Sequence, residues 1–304
     1  MPITFLLADA LDIDPIPLVI MEVVASNIGG TATLIGDPPN ILIAGATDLS
    51  FGAFIVNLAP VAFVTLVVVL VVLFLAYRRS FDIKPEARER VMELDANKSI
   101  EDMDELKRTV PVLVVTILFF FAHQVLHLEP ATVALAGATV MLFTSRQSVD
   151  KALADVDWAT LFFFMGLFVV VGGLEETGAI DEVATGIGNL TDGDRSAELL
   201  GILWASAIGS GIVDNIPFTA AMIPVVEQLQ PDGGGDDAYW WALSLGACFG
   251  GNLTLIAAAA NVAAAGMASR AGAPISFMRF LKAGVPTTLI SILIATLYVT
   301  VRYL

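Results

Sequence analysis

The chain has 304 residues, of which 57% are hydrophobic and only 15% are charged. This composition excludes an ordinary soluble globular protein and predicts an integral membrane protein. The formal net charge of −16 at pH 7 is unusual for such a protein, and we attribute it to solvated acidic loops of a kind suited to high external salt.

Apolar runs recur along the whole length of the chain. About 20 apolar residues are needed to cross the ~30 Å hydrocarbon layer as a helix, and no stretch between these runs is long enough for a separate soluble domain. We therefore predict an all-α, multi-pass protein of the cell membrane, surrounded by the lipid bilayer.

The first unusual stretch is residues 25–40, which reads A-S-N-I-G-G-T-A-T-L-I-G-D-P-P-N within an apolar run at residues 17–46. Its three glycines and two adjacent prolines each weaken or remove helical hydrogen bonds, so we expect a helix that breaks inside the membrane. The freed backbone groups must meet protein, water or an ion, because lipid offers them no partner. A broken membrane helix therefore predicts a ligand site.

Polar side chains in this stretch supply the candidate ligands. Asp37 is the strongest, because a carboxylate at mid-membrane costs roughly 2.5–3.5 kcal/mol on insertion scales; the alternative is a turn-forming Asp before proline near the interface. Glu22 is either a proton carrier or a paired group. The remaining candidates either bind a small ion or hydrogen-bond the freed backbone: Asn27, Thr31, Thr33 and Asn40.

The middle of the chain predicts how the protein is oriented in the membrane. Residues 51–76 form a span that completes a partial first repeat at residues 1–76, and residues 77–108 hold eight of the fifteen basic residues. The positive-inside rule makes 77–108 a cytoplasmic loop. In the connecting helices at residues 109–173, His123 and His127 are four residues apart on one predicted helix face. That spacing can bind a metal, but with no third ligand nearby we predict no metal site.

Residues 174–304 form the predicted second repeat. It contains a hairpin at residues 197–229, which we expect to enter the membrane and return, and a second broken helix at residues 239–266. The hairpin tip offers Asp214, Asn215 and Thr219 as candidate ligands. For Asp214 the alternative is a turn held by its own side chain. The pair Trp240 and Trp241 is typical of anchors at the membrane interface.

The two broken stretches are copies of one another. An offset of 221 positions aligns Gly29-Gly30 with Gly250-Gly251, Thr33 with Thr254 and Asn40 with Asn261. The charge rule sends the first copy from inside to outside and the second from outside to inside. Such inverted repeats with broken helices are the architecture of many secondary transporters. At the same offset Asp37 meets Ala258, which predicts a single coupling carboxylate.

The second copy has a hairpin about thirty residues before its broken helix, whereas Met1 aligns with Met222 inside the second arm of that hairpin. We therefore expect a protein truncated at its N-terminus, with the first hairpin missing.

At residues 25–40, 213–219 and 250–262 the chain resembles the ion transporter superfamily. More narrowly, it is similar to the arsenite permease and NhaD-type sodium–proton antiporter family, which has citrate-transporter-like domains and includes the melanosomal P protein. The resemblance implies a scaffold of inverted repeats with two re-entrant hairpins and two broken helices, usually as a homodimer. Without the first hairpin, half of the expected site would be missing.

Carried over to this sequence, the resemblance implies a central ion site built from both repeats. The implied residues are Asn27, Thr31, Thr33, Asp37, Asn40, Asp214, Asn215, Thr219, Asn252, Thr254 and Asn261.

These features predict secondary active transport of a small ion by alternating access, either Na⁺/H⁺ antiport or arsenite or anion permeation. The alternatives are citrate or dicarboxylate transport with Na⁺, and a non-transporting fragment or half of a split transporter. The chain shows no catalytic motif and no nucleotide loop, so we predict neither an enzyme nor a nucleic-acid-binding protein. No cofactor is expected beyond Na⁺ or H⁺ as coupling ion.

Overall fold

The computed structural model describes residues 2–81, 83, 85–92, 102–145, 147–230 and 237–304, and these residues form helices without any strand. The predicted all-α class is confirmed. In chain order the helices are α1 (Pro2–Leu11), α2 (Pro15–Gly30), α3 (Pro38–Ala46), α4 (Phe51–Tyr77), α5 (Pro85–Met92), α6 (Met103–Ala122), α7 (Pro130–Thr144), α8 (Val149–Ala154), α9 (Trp158–Glu176), α10 (Ala179–Thr191), α11 (Arg195–Ile212), α12 (Asn215–Leu229), α13 (Ala238–Gly250), α14 (Ala259–Arg270) and α15 (Phe277–Tyr303).

Among the described helices, three are long and apolar enough to cross a membrane: α4 with the following 3₁₀ turn, α9 and α15. Helices α4 and α15 each have 27 residues and an internal proline, Pro60 and Pro286 respectively. These prolines are 226 positions apart, which the repeat offset of 221 accounts for if the second copy has five extra residues in the loop before α15. The two longest helices are therefore also matched copies. Shorter apolar helices include α2 and α7.

Both predicted breaks are present. Helices α2 and α3 are separated by residues 31–37, which we term the first break, and α13 and α14 are separated by residues 251–258, the second break. The prolines fix the end of the first break, because Pro38 and Pro39 are tolerated only in the opening turn of α3. The predicted hairpin is also present, as α11 and α12 with only residues 213–214 between them.

The chain divides into two compact units. The first comprises Met1–Leu49, Ala53–Met92 and Leu167–Leu304, and the second comprises Ser50–Gly52 and Glu93–Gly166. The first unit therefore holds both breaks and the hairpin, and every site described below lies within it.

Helices α4 and α15 run antiparallel in the first unit. Near the start of α4, the Asn57 carbonyl accepts a hydrogen bond from the Tyr298 hydroxyl at 2.6 Å, and its side-chain oxygen accepts one from Arg302 at 3.1 Å. At the other end, Arg279 near the start of α15 pairs with Asp14, which caps α2. The start of α2 therefore lies at the same end of the unit as the start of α15.

Glycines allow α11 and α13 to pack closely. A Cβ atom at Gly246 would overlap the backbone carbonyl of Leu203, and one at Gly250 would overlap the carbonyl of Ala207. Close backbone approach of this kind is how small residues drive helix packing where lipid removes the hydrophobic driving force. The hairpin is thereby held against the first arm of the second broken helix.

Substituting Gly250 with alanine is expected to destabilise the protein by roughly 1–3 kcal/mol, the usual cost of overpacking. The matched control is Gly201→Ala in α11, where a Cβ would meet nothing within 4 Å and where alanine should instead stabilise the helix by roughly 0.5–1 kcal/mol. Thermal unfolding of the purified variants measures both effects. Equal stability of the two variants would contradict the close packing of α11 and α13.

The tryptophan prediction was wrong. Trp240 and Trp241 are only 4% and 1% exposed, and the Trp241 ring meets that of Phe54 edge to face at 5.1 Å. The pair fills the core between α13 and α4 rather than lying at a surface. This contact also places the start of α13 beside the start of α4, at the end of the unit opposite Asp14.

The predicted helix face shared by two histidines is also absent. In the second unit α6 ends at Ala122, and His127 has a positive φ of 51°. His123 is buried, and its ring bonds the Leu128 carbonyl at 3.1 Å and lies 3.4 Å from the Phe51 amide nitrogen. His123 therefore closes α6 and holds the start of α4. No group of three metal-ligating side chains occurs among the described residues.

Candidate functional site

The two breaks have the same backbone hydrogen bonds at the offset of 221 positions. The Gly36 amide donates to the Thr33 carbonyl at 3.3 Å, and the matched Ala257 amide donates to the Thr254 carbonyl at 3.3 Å. Likewise the Asn40 amide donates to Asp37, and the Asn261 amide to Ala258, both at 3.0 Å. The sequence repeat is thus also a structural repeat at the level of individual bonds.

A buried asparagine closes each break. The side-chain nitrogen of Asn40 donates to the carbonyls of Thr31 and Thr33 at 3.0 and 2.9 Å, and that of Asn261 donates to the carbonyls of Gly251 and Thr254 at 2.7 and 2.9 Å. Both asparagines are fully buried. Their side chains give hydrogen bonds to backbone carbonyls of the breaks, which is the backbone-bonding alternative considered for Asn40 and Asn261.

The two breaks are also bonded to one another. The Asn27 side chain donates to Asn252 and to Asn261, each at 2.9 Å. Cys248 is the residue that the repeat pairs with Asn27, and its sulfur lies 3.8 Å from the side-chain oxygen of Asn40. That oxygen also accepts a hydrogen bond from Ser244 at 2.6 Å. Each asparagine that closes one break is therefore held by a residue of the other broken helix, and the two breaks form one polar centre.

The hairpin tip joins this centre. The Asn215 amide donates to the Ala257 carbonyl at 3.0 Å, and its side-chain nitrogen lies 3.4 Å from Asp37 Oδ1. Thr254 donates to the Gly211 carbonyl at 2.8 Å. The hairpin therefore contacts both breaks, and Asn215 connects the second repeat to the Asp37 carboxylate.

A cavity of about 110 Å³ lies between the breaks and the hairpin tip. It is several times the ~30 Å³ that one water molecule occupies in the liquid. Its lining residues are Ser26, Asn27, Gly36, Asp37, Pro38, Asn215, Ala258, Ala259 and Ala260.

The cavity is electrostatically one-sided, because Asp37 is the only charged residue in its lining among the residues that the structure describes. Asp37 is 7% exposed, and its Oδ2 atom is buried with no hydrogen-bond partner among the described residues. The nitrogens of Asn27 and Asn215 are already donating, so their carbonyl oxygens are the polar atoms left for a ligand. Carboxylate, carbonyl and hydroxyl oxygens are the donor set of a small hard cation.

The other predicted residues lie outside the cavity lining. Asp214 accepts a hydrogen bond from the Ile216 amide at 2.9 Å and so begins α12, which is the turn alternative considered for it. The hydroxyls of Thr31 and Thr219 bond back to the carbonyls four residues earlier, at 2.9 and 2.6 Å. Glu22 accepts a hydrogen bond from Thr4 on α1.

Sequence reasoning omitted several participants from the site. Ser244 and Cys248 support Asn40, and Ala259 and Ala260 are among the residues that line the cavity. The offset of 221 positions carried a signal for one of them, because it aligns Cys248 with Asn27. The alanines gave no side-chain signal at all.

Known proteins resemble this chain over nearly its whole length. A family model described as citrate transporter (CitMHS) matches residues 1–246. The chain is 43% identical over 305 residues to a protein of Mycobacterium tuberculosis named as an uncharacterized transporter, covering 99% of this chain and 71% of the relative. It is 30% identical over 318 residues to an uncharacterized transporter of Synechocystis, covering 96% and 70%. It is also 30% identical over 382 residues to the P protein of Sus scrofa, covering 99% and 45%.

Proposed function

Because the chain belongs to the citrate transporter family, a family of membrane transporters, we propose that it carries out secondary active transport of a small ion driven by Na⁺ bound at Asp37. Transport would proceed by alternating access, without a chemical step. The observation that carries this proposal is the buried Asp37 oxygen without a hydrogen-bond partner, in a small cavity between two broken helices.

A cation fits this cavity better than a directly bound anion. A buried carboxylate is costly unless a proton or a cation balances it, and within the described part of the chain no lysine or arginine lines the cavity. A proton alone needs only the carboxylate, whereas the surrounding amide and hydroxyl oxygens resemble the shell of a metal ion. We therefore favour Na⁺, with H⁺ as its competitor for the same carboxylate.

The helix directions support an inverted arrangement. Asp14 at the start of α2 lies with Arg279, whereas Trp241 at the start of α13 lies with Phe54 at the opposite end of α4. The two broken helices therefore enter from opposite ends of the unit. Because Arg78 and Arg79 follow α4 and because Arg279 and Lys282 lie in the first two turns of α15, we assign the end near Asp14 to the cytoplasm. This assignment supports a multi-pass protein of the cell membrane.

Reconstitution into liposomes tests the proposal. We expect an inward Na⁺ gradient to accelerate uptake of a labelled ion, and dissipating that gradient with an ionophore to abolish the acceleration. Citrate, arsenite and Na⁺ itself serve as separate labelled probes, the last against a proton gradient. Liposomes in which neither gradient drives any of the three would contradict the proposal and favour a non-transporting chain or half of a split transporter.

A further inference from the structure

An apolar groove runs along the helix pair α6 and α7 of the second unit. The two helices are joined by residues 123–129, and a Cβ atom at Gly137 of α7 would overlap the Thr116 side chain of α6, so the helices touch there. Around this contact they line a cavity of about 440 Å³. No charged residue lines this groove among the residues with described positions, and its lining includes Val112, Val115, Phe119, Val133, Ala136 and Val140.

The shape of the groove suits a chain-like apolar ligand. Its volume of about 440 Å³ lies within the ~300–1,000 Å³ of small-molecule sites. Its α6 lining runs from Pro111 to Phe119, which is about 12 Å along the helix axis. Val115 and Val140 are each 49% exposed, so the groove is open at the surface. The acyl chain of a lipid fits an open, elongated and apolar groove of this kind.

A cationic side chain lies at one end of the groove. Arg108 precedes Val112 by four residues and Val115 by seven, which places all three on one face of α6. Its Nε atom donates a hydrogen bond to the Asp104 carbonyl at 2.9 Å, whereas its Nη2 atom is buried and has no hydrogen-bond partner in the described part of the chain. A buried donor on a charged group is costly to leave unsatisfied. This nitrogen therefore indicates a ligand that accepts a hydrogen bond.

Arg108 also lies where α6 changes from charged to apolar. The first six residues of the helix read M-D-E-L-K-R, and residues 110–122 include no charged residue. The positive-inside rule assigns residues 77–108 to the cytoplasm, so Arg108 is expected at the cytoplasmic surface of the membrane, where lipid headgroups lie. Guanidinium groups bind phosphate through charge-assisted hydrogen bonds. A lipid phosphate is therefore the acceptor that fits both the charge and the position of Arg108.

We propose that the α6–α7 groove binds an anionic phospholipid of the cytoplasmic leaflet, with an acyl chain along the groove and the headgroup phosphate at Arg108. The exposed neighbour Lys107 adds a second cation at this end, which favours an anionic lipid over a zwitterionic one. Asp104 and Glu105 lie in the first turn of α6, further from the groove. The groove belongs to the second unit and the Asp37 cavity to the first, so this proposal does not depend on the proposed function.

Photo-crosslinking of lipid to the purified full chain tests the site. The probe is phosphatidylglycerol with a photoreactive group on one acyl chain, and phosphatidylcholine with the same acyl chain is the zwitterionic comparison. We expect the phosphatidylglycerol probe to label the groove residues of α6 and α7 saturably and at lower concentration than the phosphatidylcholine probe does. Inorganic phosphate should not displace it. Displacement by inorganic phosphate would indicate a site for free phosphate instead of a lipid, and equal labelling by the two probes would contradict the anionic headgroup.

One pair of variants tests the headgroup contact. Arg108→Gln removes the charge and should weaken binding of the phosphatidylglycerol probe about tenfold or more, as expected for the loss of a charge-assisted hydrogen bond. The matched control is Lys151→Gln, which removes an exposed cation of α8 outside the groove and should bind the probe as the unmodified chain does. Equal probe affinity in these two variants would contradict a phosphate at Arg108.

A second pair of variants tests the acyl-chain contact without changing any charge. Ala136→Leu fills part of the groove and should reduce labelling of its residues, whereas Ala134→Leu adds the same side chain to α7 outside the lining and should not. Equal labelling of the two variants, or no saturable labelling of the unmodified chain, would overturn the proposal. Labelling that appears only when a dimer dissociates on dilution would assign the groove to a second copy of the chain. Each pair is a complete test, so the proposal stays falsifiable if a variant of the other pair does not fold.

Discussion

Replacing Asp37 with asparagine is expected to abolish Na⁺-driven transport while leaving the fold intact. Asparagine has the same shape and still offers an oxygen to Asn215, which lies 3.4 Å from Asp37 Oδ1. What it lacks is the negative charge. Interactions with a charged group are worth about 1.5–3 kcal/mol, so we expect cation affinity to fall roughly 10- to 100-fold. Gradient-driven uptake in liposomes measures the loss.

A suitable control for this substitution is Asp194→Asn. Asp194 is an exposed residue whose side chain accepts a hydrogen bond from the Ala197 amide at 2.8 Å and so begins α11. Asparagine begins helices as well as aspartate does, so transport should be unaffected. Equal rates for Asp37→Asn and Asp194→Asn would remove Asp37 from the mechanism.

The repeat also suggests a variant in which the carboxylate is moved to the matched position of the second break. Ala258 occupies the position matched to Asp37 and lines the same cavity. The double variant Asp37→Ala/Ala258→Asp should therefore recover part of the Na⁺ dependence that Asp37→Ala loses. Recovery would show that the cavity, rather than one backbone position, defines the cation site.

Replacing Asn261 with alanine is expected to cause the largest loss of stability, roughly 3–5 kcal/mol. The substitution removes a donor from the carbonyls of Gly251 and Thr254, of which Thr254 keeps the Ala257 amide, and it removes one acceptor from the Asn27 amide. Each unsatisfied buried polar group costs about 1–3 kcal/mol. The expected result is a lower midpoint of thermal unfolding for the purified protein.

The structural repeat predicts the same loss of stability for a second variant. Asn40→Ala should destabilise the protein by a similar amount, because Asn40 makes the matched bonds in the first break. The exposed Asn189→Ala in α10 serves as control and should change stability by less than about 0.5 kcal/mol. If Asn40→Ala and Asn261→Ala have the same midpoint of thermal unfolding as the Asn189→Ala control, that result would contradict a buried network that joins the two breaks.

The backbone breaks were predictable from the sequence because their causes are local. Glycines and adjacent prolines disrupt helices wherever they occur, and the repeat then identified the second break from the first. The pairing of Asn40 with Asn261 was likewise visible as an offset of 221 positions. The offset could not give the direction of each side chain, and that direction is what places Asn27 in the cavity lining and Asn252 outside it.

The wrong predictions for the tryptophan pair and the two histidines concern features that depend on tertiary packing. Two adjacent tryptophans are typical of a membrane interface, yet Trp241 packs on Phe54, a residue 187 positions earlier in the chain. Similarly, the spacing of His123 and His127 indicates a shared helix face only if the helix continues, and it ends at Ala122. Neither outcome has a local signal.

Equilibrium binding of radiolabelled Na⁺ to the purified chain tests the central claim most directly. Our account predicts saturable binding that protons compete away and that Asp37→Asn weakens roughly 10- to 100-fold, while Asp194→Asn binds as the unmodified chain does. Saturable Na⁺ binding of equal affinity in Asp37→Asn would contradict it.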